Sequence, residues 1–398
     1  MTEPAASPRP PIPRGVWVLG FVSLFMDVSS EMIHSLLPLF LVSGLGASML
    51  MVGVVEGMAE ATALVVKVFS GALSDWIGRR KGLALLGYGL GAVAKPLFAL
   101  AGGVGLVIAA RFIDRVGKGI RGAPRDAMVA DLSPPAIRGA AFGLRQSLDT
   151  VGAFSGPLLA TALMLWWAGD FRAVFWAACL PALICVLLLA VGVKEPERPP
   201  APPAGNPLRR EALAQLGAPF WRVALVGAVF TLARFSEAFL VLRAQDLGMT
   251  IALVPLVMVA MNLAYAVCAF PFGRLADRVD HRLLLAAGVM VLVIADCLLG
   301  LADHLAVLLA GVLLWGVHLG MTQGLLSAMV AEVAPAHLRG TAFGLFNLAC
   351  GAAMLLASVL AGALWDAFGA RVTFLVGAAL CVLALLTIAT LRAPRRSG

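Results

Sequence analysis

The sequence predicts an all-α membrane protein with twelve transmembrane helices in two pseudo-symmetric six-helix bundles. Its 398 residues are 61% hydrophobic and 13% charged, whereas soluble chains carry roughly 25% charged residues. The apolar residues fall into runs of about 20 or more, the length that a bilayer-spanning helix needs. Segments of the first half also recur in the second half. Together these observations place most of the molecular surface in lipid.

Twelve spans follow from the apolar runs between charged, glycine or proline breaks. Glycine and proline inside the runs are compatible with membrane helices, because neighbouring helices satisfy the freed backbone groups. The predicted spans lie at about 15–44, 48–74, 82–102, 104–131, 139–164, 171–193, 219–245, 250–275, 282–302, 304–333, 340–365 and 371–391.

Lysine and arginine mark one side of the membrane. With twelve spans, the two tails share a side with the even-numbered loops, which hold most of the loop Lys and Arg residues. The opposite loops hold only Arg172, Arg243 and Arg371. The positive-inside rule therefore predicts a multi-pass protein of the cytoplasmic (inner) membrane with both termini in the cytoplasm. This asymmetry accounts for the net charge of +8 without a nucleic-acid partner.

Several classes of function lack their sequence signals. The six cysteines lie in apolar runs without a C-x-x-C pair, so neither a disulfide framework nor a zinc site is indicated. The chain has no HExxH, no Gly-x-Ser-x-Gly elbow and no Walker phosphate loop. We therefore expect no enzyme activity, no cofactor and no ATP-driven transport by this chain alone.

The two halves are copies of one another. "AMVADLSPPAIRGAAFGL" (127–144) matches "AMVAEVAPAHLRGTAFGL" (328–345) at an offset of 201, and the Ser30-Glu31 pair corresponds to Ser236-Glu237. A Pro-rich, charged stretch separates the copies. The predicted organisation is a tail (1–14), a bundle (15–193), a linker (194–218), a second bundle (219–391) and a tail (392–398).

A loop between spans 2 and 3 resembles the signature of the major facilitator superfamily. Its residues are Gly71, Asp75, Gly78, Arg79, Arg80 and Lys81, with a second-half copy at Gly273, Asp277 and Arg278. The resemblance implies secondary transport by alternating access. Independently of it, the acid and bases of the loop can form cytoplasmic ion pairs that exist in one state and break in another, which would act as a gate; plain positive-inside anchoring is the alternative. We expect the protein to function as a monomer.

Span 4 differs most between the copies. Its charged residues fall within an arc of roughly 140° on a helix, and the aligned second-half positions are uncharged. Because charges in a bilayer are costly, this face should line a water-filled cavity, at least from Arg111 to Lys118. For Arg121, Arg125 and Asp126, which lie nearer the cytoplasm, ion pairs at the membrane interface are an equal alternative. The seven residues are Arg111, Asp114, Arg115, Lys118, Arg121, Arg125 and Asp126.

Other spans of the first half also carry charged residues within their apolar runs, namely Glu56, Glu60, Lys67, Lys95 and Asp149. The second half has fewer polar residues, namely Arg234, Glu237, Asn262, Asp296 and His318. We expect the first half to carry coupling and charge recognition, and the second to supply a mostly apolar wall.

Two motifs of spans 4 and 5 also resemble the superfamily. Arg115-x-x-x-Gly119 resembles the span 4 arginine pattern that is linked to proton coupling, although Arg111 is an alternative. Gly152-x-x-x-Gly156-Pro157 resembles the span 5 antiporter motif, with Ala160 in place of its final glycine. The second motif favours export by antiport, with ordinary small-residue packing as the alternative.

Asp27, Glu31 and His34 stack on one face of span 1. A carboxylate withdrawn from water holds a proton more readily, and histidine titrates near neutral pH, so this trio is predicted to couple protons together with Asp149 and Arg115. A divalent-metal site formed by the trio is an alternative. Structural ion pairing is another.

The predicted function is secondary active transport of a small solute, favouring proton-coupled export of an anionic, zwitterionic or amphiphilic molecule. A metal or metal-chelate transporter is the alternative, and a membrane receptor or an intramembrane enzyme is less favoured. The predicted substrate contacts are Arg111, Asp114, Arg115, Lys118, Glu56, Glu60, Lys95, Arg234 and Glu237.

Overall fold

The computed structural model describes residues 11–77, 79–134, 137–195, 216–276, 278–335 and 338–389. These residues form helices joined by turns, and no strand occurs among them. Gly78, Asp277, the side chain of Asp75, most of the predicted linker and the outer parts of both tails lie outside the described part.

The first half contains six long helices, which keep the span numbers predicted above. Span 1 (Arg14–His34) continues through a short helix, Leu37–Leu39, into a π-helical turn at Phe40–Gly44. The other five are continuous: span 2 (Met49–Ile77), span 3 (Arg80–Ala99), span 4 (Val104–Leu132), span 5 (Arg138–Trp166) and span 6 (Phe171–Gly192).

The second half is more interrupted. Span 7 has two pieces, Ala218–Ala233 and Ala238–Asp246, and span 10 also has two, Leu305–Thr322 and Leu325–Val333. Span 8 begins with a 3₁₀ turn, Ile251–Leu253. The remaining helices are Leu256–Ala276 of span 8, His281–Leu301 of span 9, and the run Arg339–Ala389, which holds spans 11 and 12.

By length and hydropathy, ten described segments can cross a membrane. The last of them, Thr341–Ala389, has 49 residues, about twice the length that one passage needs. It divides at Gly369, whose φ of 82° and ψ of 173° are not helical and suit a residue without a Cβ. Val104–Leu132 is not among the ten, although it has 29 residues, because its charges exclude it. Counting Thr341–Ala389 as two helices and including Val104–Leu132 gives a total that is consistent with twelve membrane passages.

Packing within the two halves follows one pattern. In the first half span 4 packs on spans 2 and 3, and span 1 packs on span 5. In the second half span 10 packs on spans 8 and 9, and span 7 packs on span 11. The all-α membrane fold with pseudo-symmetric halves is therefore as predicted. We call the membrane face at which span 1 begins, at Arg14, and span 12 ends, at Ala389, the terminus side, and the opposite face the far side.

The halves meet along spans 2 and 11 and along spans 5 and 8. Spans 2 and 11 touch through their backbones: a Cβ on Gly53 would lie 2.1 Å from the carbonyl oxygen of Ser358, and one on Gly362 would lie 2.3 Å from that of Met49. Small residues at these positions let two helices from different halves approach closely.

The second half has an aromatic core where the first half has charges. Five rings contact one another in edge-to-face or tilted pairs with centroids 5.4 to 6.1 Å apart, an arrangement worth about 0.5–1.5 kcal/mol per pair beyond its buried area. One of them, the fully buried Trp315, occupies the repeat position of Asp114. The five are Phe235, Phe239, Trp315, Trp365 and Phe374.

Candidate functional site

A cavity of about 280 Å³ lies between the two halves. Its first-half wall is charged, whereas its second-half wall mixes polar, apolar and sulfur-containing side chains. The lining residues are Glu31, His34, Glu60, Arg115, Lys118, Ala153, Arg234, Phe235, Ser236, Glu237, Met258, Asn262, Gln323 and Met354.

Two helix breaks border this cavity. Span 7 is not helical from 234 to 237, where the amide of Ala238 donates to Ser236 Oγ at 3.2 Å. Span 10 is interrupted at Gln323 and Gly324. Non-helical backbone at membrane depth is tolerated only where it is buried in protein or lines a water-filled cavity, so the breaks mark this space as polar.

One chain of charges runs from behind the wall into the cavity. Arg111 NH2 donates to Glu56 Oε2 at 2.7 Å, and both side chains are almost fully buried. His34 lies between two carboxylates, with Nε2 3.4 Å from Glu56 and Nδ1 3.4 Å from Glu31. The imidazole therefore connects a buried ion pair to the cavity surface.

A second chain of charges runs parallel to the first. Lys95 Nζ donates to Asp114 Oδ1 at 2.8 Å and to Ser30 Oγ at 3.0 Å. Arg115 follows, with Nε 3.7 Å from Asp114 and NH1 3.1 Å from Glu60. Spans 1 to 4 thus share one network, in which Arg115 and Glu60 reach the cavity.

Asp149 belongs to a third group on the terminus side of the cavity. Arg145 NH1 lies 2.5 Å from Asp149, and Arg125 NH1 lies 3.9 Å from it. The charged neighbours of Asp27 are Asp149, Arg121, Arg125 and Lys118, yet its side chain makes no hydrogen bond or ion pair within the described part of the chain. The predicted proton-coupling set therefore divides into a cavity group (Glu31, His34 and Arg115) and a terminus-side group (Asp27 and Asp149).

Span 5 holds the acidic face of span 1 in place through its two motif glycines. A Cβ on Gly152 would lie 2.8 Å from Asp27 Cβ, and one on Gly156 would lie 2.6 Å from Glu31 Cβ and 2.9 Å from the carbonyl oxygen of Val28. The motif therefore sets how closely the two helices approach beside both carboxylates.

Three charged side chains of the cavity have neither a hydrogen bond nor an ion pair within the described ranges. Lys118 is exposed to the cavity. Arg234 stacks its guanidinium over the ring of Phe230, with Cζ 5.8 Å from the centroid. Glu237, three residues further along the same non-helical stretch, also lines the cavity. Charges of both signs are therefore available to a ligand.

The predicted substrate residues separate into two sets. Arg115, Lys118, Glu60, Arg234 and Glu237 line the cavity. The other four form ion pairs behind its wall, so their nearest charged partners are protein side chains; they are Arg111, Asp114, Glu56 and Lys95.

Some cavity residues carry no signal in the sequence. Phe235, Gln323 and Met354 belong to no motif, and only the backbone breaks and helix packing bring them to the cavity. Conversely, His318 is fully buried, with Nδ1 2.8 Å from the carbonyl of Gly288. Asp296, at the repeat position of Lys95, is fully buried as well.

The metal alternative has no supporting geometry. Glu31 and His34 contact one another, but Asp27 does not join them. Among the residues that the structure describes, no three His, Cys, Asp or Glu side chains are grouped to hold a metal ion.

The signature loops form ion pairs within each half. Arg80 pairs with Asp131 at the end of span 4, and Glu195 accepts from the amides of Arg80 and Lys81 at 2.6 and 2.9 Å. The equivalent second-half positions are His281 and Glu332, whose atoms lie 3.0 Å apart.

The remaining signature residues show fewer contacts. Arg79 is exposed, a Cβ on Gly273 would meet nothing within 4 Å, and Gly71 lies in span 2. The amide of Arg278 bonds only to the preceding turn, at Leu275. Gating by these loops stays a prediction.

At the start of span 9, Asp280 accepts from the amide of Arg282 at 2.9 Å. The guanidinium of Arg282 hydrogen-bonds the same carboxylate and holds the pKa of Asp280 below its ordinary value. This loop aspartate therefore stays ionised as the cap of its helix.

Known proteins resemble the chain over nearly its whole length. A family model described as Major Facilitator Superfamily matches residues 19–243 and 223–398. An uncharacterized MFS-type transporter of Methanocaldococcus jannaschii is 32% identical over 385 residues, covering 94% of each chain. The multidrug resistance protein MdtH of Cronobacter sakazakii is 24% identical, covering 83% of this chain and 79% of its own. The crystal structure of the human organic anion transporter MFSD10 (TETRAN) superposes with a TM-score of 0.68 at 21% identity, covering 96% and 100% of the two chains, a likeness of fold alone.

Proposed function

This chain belongs to the major facilitator superfamily, and from that premise we propose that it exports a small anionic, zwitterionic or amphiphilic solute in exchange for protons. Like its relatives, it is a transporter and not an enzyme. Protons are the proposed coupling ion, no cofactor is needed, and one chain is the proposed functional unit.

The observation that carries the proposal is the cavity between the halves, with titratable groups on one wall. Alternating access requires a site that both halves contact, so that rocking one half exposes it to either side. Glu31 and His34 from span 1 face Arg234 and Glu237 from span 7 across this space. A solute bound here would contact both moving bodies.

Proton coupling is supported by the arrangement around span 1. His34 lies 3.4 Å from a carboxylate on each side, so gain or loss of one proton changes two ion-pair contacts at once. Asp27 lacks a partner of its own and lies among Arg121, Arg125 and Asp149. A proton on Asp27 would change the charge of that group without breaking a hydrogen bond.

Export is supported by two features of the sequence. Gly152-x-x-x-Gly156-Pro157 resembles the antiporter motif, and one relative of the chain is named a multidrug resistance protein. The excess of Lys and Arg supports a cytoplasmic terminus side in the inner membrane. Solute would then enter from the terminus side and leave on the far side.

Flux measurements in proteoliposomes test the proposal. We expect an imposed pH gradient to drive solute uptake from a panel of organic anions, zwitterions and amphiphilic drugs. Asp27→Asn and His34→Ala should retain exchange down a solute gradient and lose its dependence on pH. Asp303→Asn, a matched change of an exposed loop acid, should keep the dependence on pH.

Two outcomes would contradict this function. If no solute of the panel moved under any ion gradient, the chain would not be a secondary transporter of this class of molecule. If Asp27→Asn and His34→Ala both kept the wild-type pH dependence, the coupling groups would lie elsewhere.

A further inference from the structure

We propose that the ligand of the central cavity is a small zwitterionic amphiphile. Its anionic group lies between Lys118 and Arg234, and its cationic nitrogen lies at Glu237. The inference rests on the proposed transport function and names the chemistry of the solute at that same site.

The argument begins with the charges that already have partners. Arg115 is 3.1 Å from Glu60 and 3.7 Å from Asp114. His34 is 3.4 Å from both Glu31 and Glu56. A ligand that paired with these side chains would have to displace existing ion pairs, which removes much of the gain.

Lys118 and Arg234 face carboxylates at longer range: Glu60, Glu31 and Asp27 are charged neighbours of Lys118, and Glu237 is one of Arg234. Neither makes an ion pair or a side-chain hydrogen bond within the described part of the chain, and both line the same 280 Å³ space. Lys118 belongs to the first half and Arg234 to the second. An anionic group of the ligand that lies between them therefore pairs with two cations. The same group also links the two halves of the protein.

Glu237 adds the opposite sign. It lies three residues beyond Arg234 in the non-helical stretch of span 7. The guanidinium of Arg234 lies over the ring of Phe230 and forms no ion pair with Glu237. A purely anionic ligand would leave this carboxylate without a partner and add repulsion. A purely cationic ligand would leave Lys118 and Arg234 unsatisfied. Only a ligand with both charges satisfies all three side chains.

The remaining lining sets size and polarity. Phe235, Met258 and Met354 supply an aromatic and thioether surface on the second-half wall, which suits an apolar body of variable shape. The cavity volume of about 280 Å³ lies just below the range of about 300–1,000 Å³ that is typical of ligand sites. The solute is accordingly the size of an amino acid with an apolar side chain.

Binding to purified protein in nanodiscs, without any ion gradient, tests the inference. The probes are phenylalanine, tryptophan and 2-amino-5-phenylpentanoic acid, each as the free zwitterion, the N-acetyl anion and the amide cation. For at least one body, we expect the zwitterion to bind about tenfold or more tighter than both matched derivatives, because each derivative leaves a charge of the cavity unpaired.

Variants at three cavity residues assign the roles. Glu237→Gln should remove the preference for the zwitterion over the anion, and Glu237→Asp should restore part of it. Lys118→Gln and Arg234→Gln should each reduce the preference over the cation. Lys67→Gln removes an exposed lysine outside the cavity and should leave all preferences unchanged. Size-exclusion profiles and thermal unfolding establish that each variant is folded.

Tighter binding of the anion or the cation than of the zwitterion, or no binding of any of the nine probes, would overturn the inference. So would an unchanged preference in Glu237→Gln. Proton-driven flux of a different solute would leave the transport function standing while this assignment failed, so the two failures are distinguishable.

Discussion

At the scale of single residues, the unusual feature is an ion pair sealed inside the first half. Arg111 and Glu56 are 2.7 Å apart, with side-chain exposures of 2% and 0%. Charges in a bilayer cost several kcal/mol each unless they are paired, so each side chain requires the other. Glu60 pairs with Arg115 one turn further along the same two helices, but it is 34% exposed to the cavity.

This difference in burial predicts a difference in stability. Glu56→Gln leaves a buried arginine without its counter-ion and should destabilise the protein by about 3–5 kcal/mol. Glu60→Gln, the matched change at the cavity surface, should cost far less because Glu60 is partly exposed and Arg115 keeps Asp114 as a counter-ion, 3.7 Å from its Nε. Denaturant unfolding in detergent measures both.

The double variant Arg111→Met/Glu56→Gln gives a second check on the pair. It removes both charges together, so its loss of stability should be smaller than that of Glu56→Gln alone.

Equal losses of stability for the single variants Glu56→Gln and Glu60→Gln would show that burial of the ion pair does not decide the cost.

At the scale of helices, spans 1 and 5 form the closest contact beside the acidic face. Gly152 and Gly156 lie one turn apart on span 5 and face Asp27 and Glu31. Backbone atoms of span 1 are within 2.9 Å of the position that a Cβ would take at either glycine. Backbone cannot turn aside as a flexible side chain can, so any added atom must separate the helices.

Gly156→Ala should therefore push span 1 from span 5 and cost about 1–3 kcal/mol, the usual range for overpacking. Gly143→Ala is the matched control on the same helix, since a Cβ there meets nothing within 4 Å. Its gain in helix propensity should leave stability equal or slightly higher. Thermal unfolding of the two variants checks the prediction, and equal melting temperatures would refute it.

At the scale of the whole molecule, the two halves are joined on the far side by a helix cap. Asp366 of span 11 accepts from the amides of Met49 and Leu50, the first residues of span 2, at 3.0 and 2.8 Å. Gln245 Nε2 also donates to Ser43 Oγ across the halves at 2.6 Å. In the proposed transport cycle, opening the cavity to the far side would separate these helix ends and expose the amides.

Asp366→Ala should therefore favour the state open to the far side. Loss of an N-cap costs about 1 kcal/mol, which corresponds to a shift of about fivefold in the equilibrium between the two states. Spin labels at Gly102 and Asp303, equivalent far-side positions of the two halves, should report a larger population of long distances.

Asp170→Ala is the matched control for this cap. Asp170 caps span 6 on the same face by accepting from the amides of Arg172 and Ala173, but all three residues belong to one half. Its loss should lower stability and leave the distances unchanged. A distance distribution in Asp366→Ala identical to wild type would exclude the cap as a latch between the halves.

The fold class, the duplication and the spans that carry charge are all predicted from the amino-acid sequence alone. Hydropathy, helical spacing and repeats are local properties, and lipid demands long apolar helices whatever their neighbours are. Span 4 is too charged to be recognised as a membrane span by hydropathy. The internal repeat and its single charged face nevertheless identify it as one.

Which charges are available to a solute depends on how the helices pack together. Arg111 and Arg115 lie one turn apart on one face of span 4, yet Glu56 seals the first behind the wall, while the second reaches the cavity. Likewise Arg234 and Glu237 make no ion pair among the described residues, because span 7 breaks between its two pieces and the guanidinium of Arg234 lies over the ring of Phe230. Helical spacing specifies the face on which a side chain lies. Its partner is specified by the helix packed against that face, which is a property of the assembled bundle.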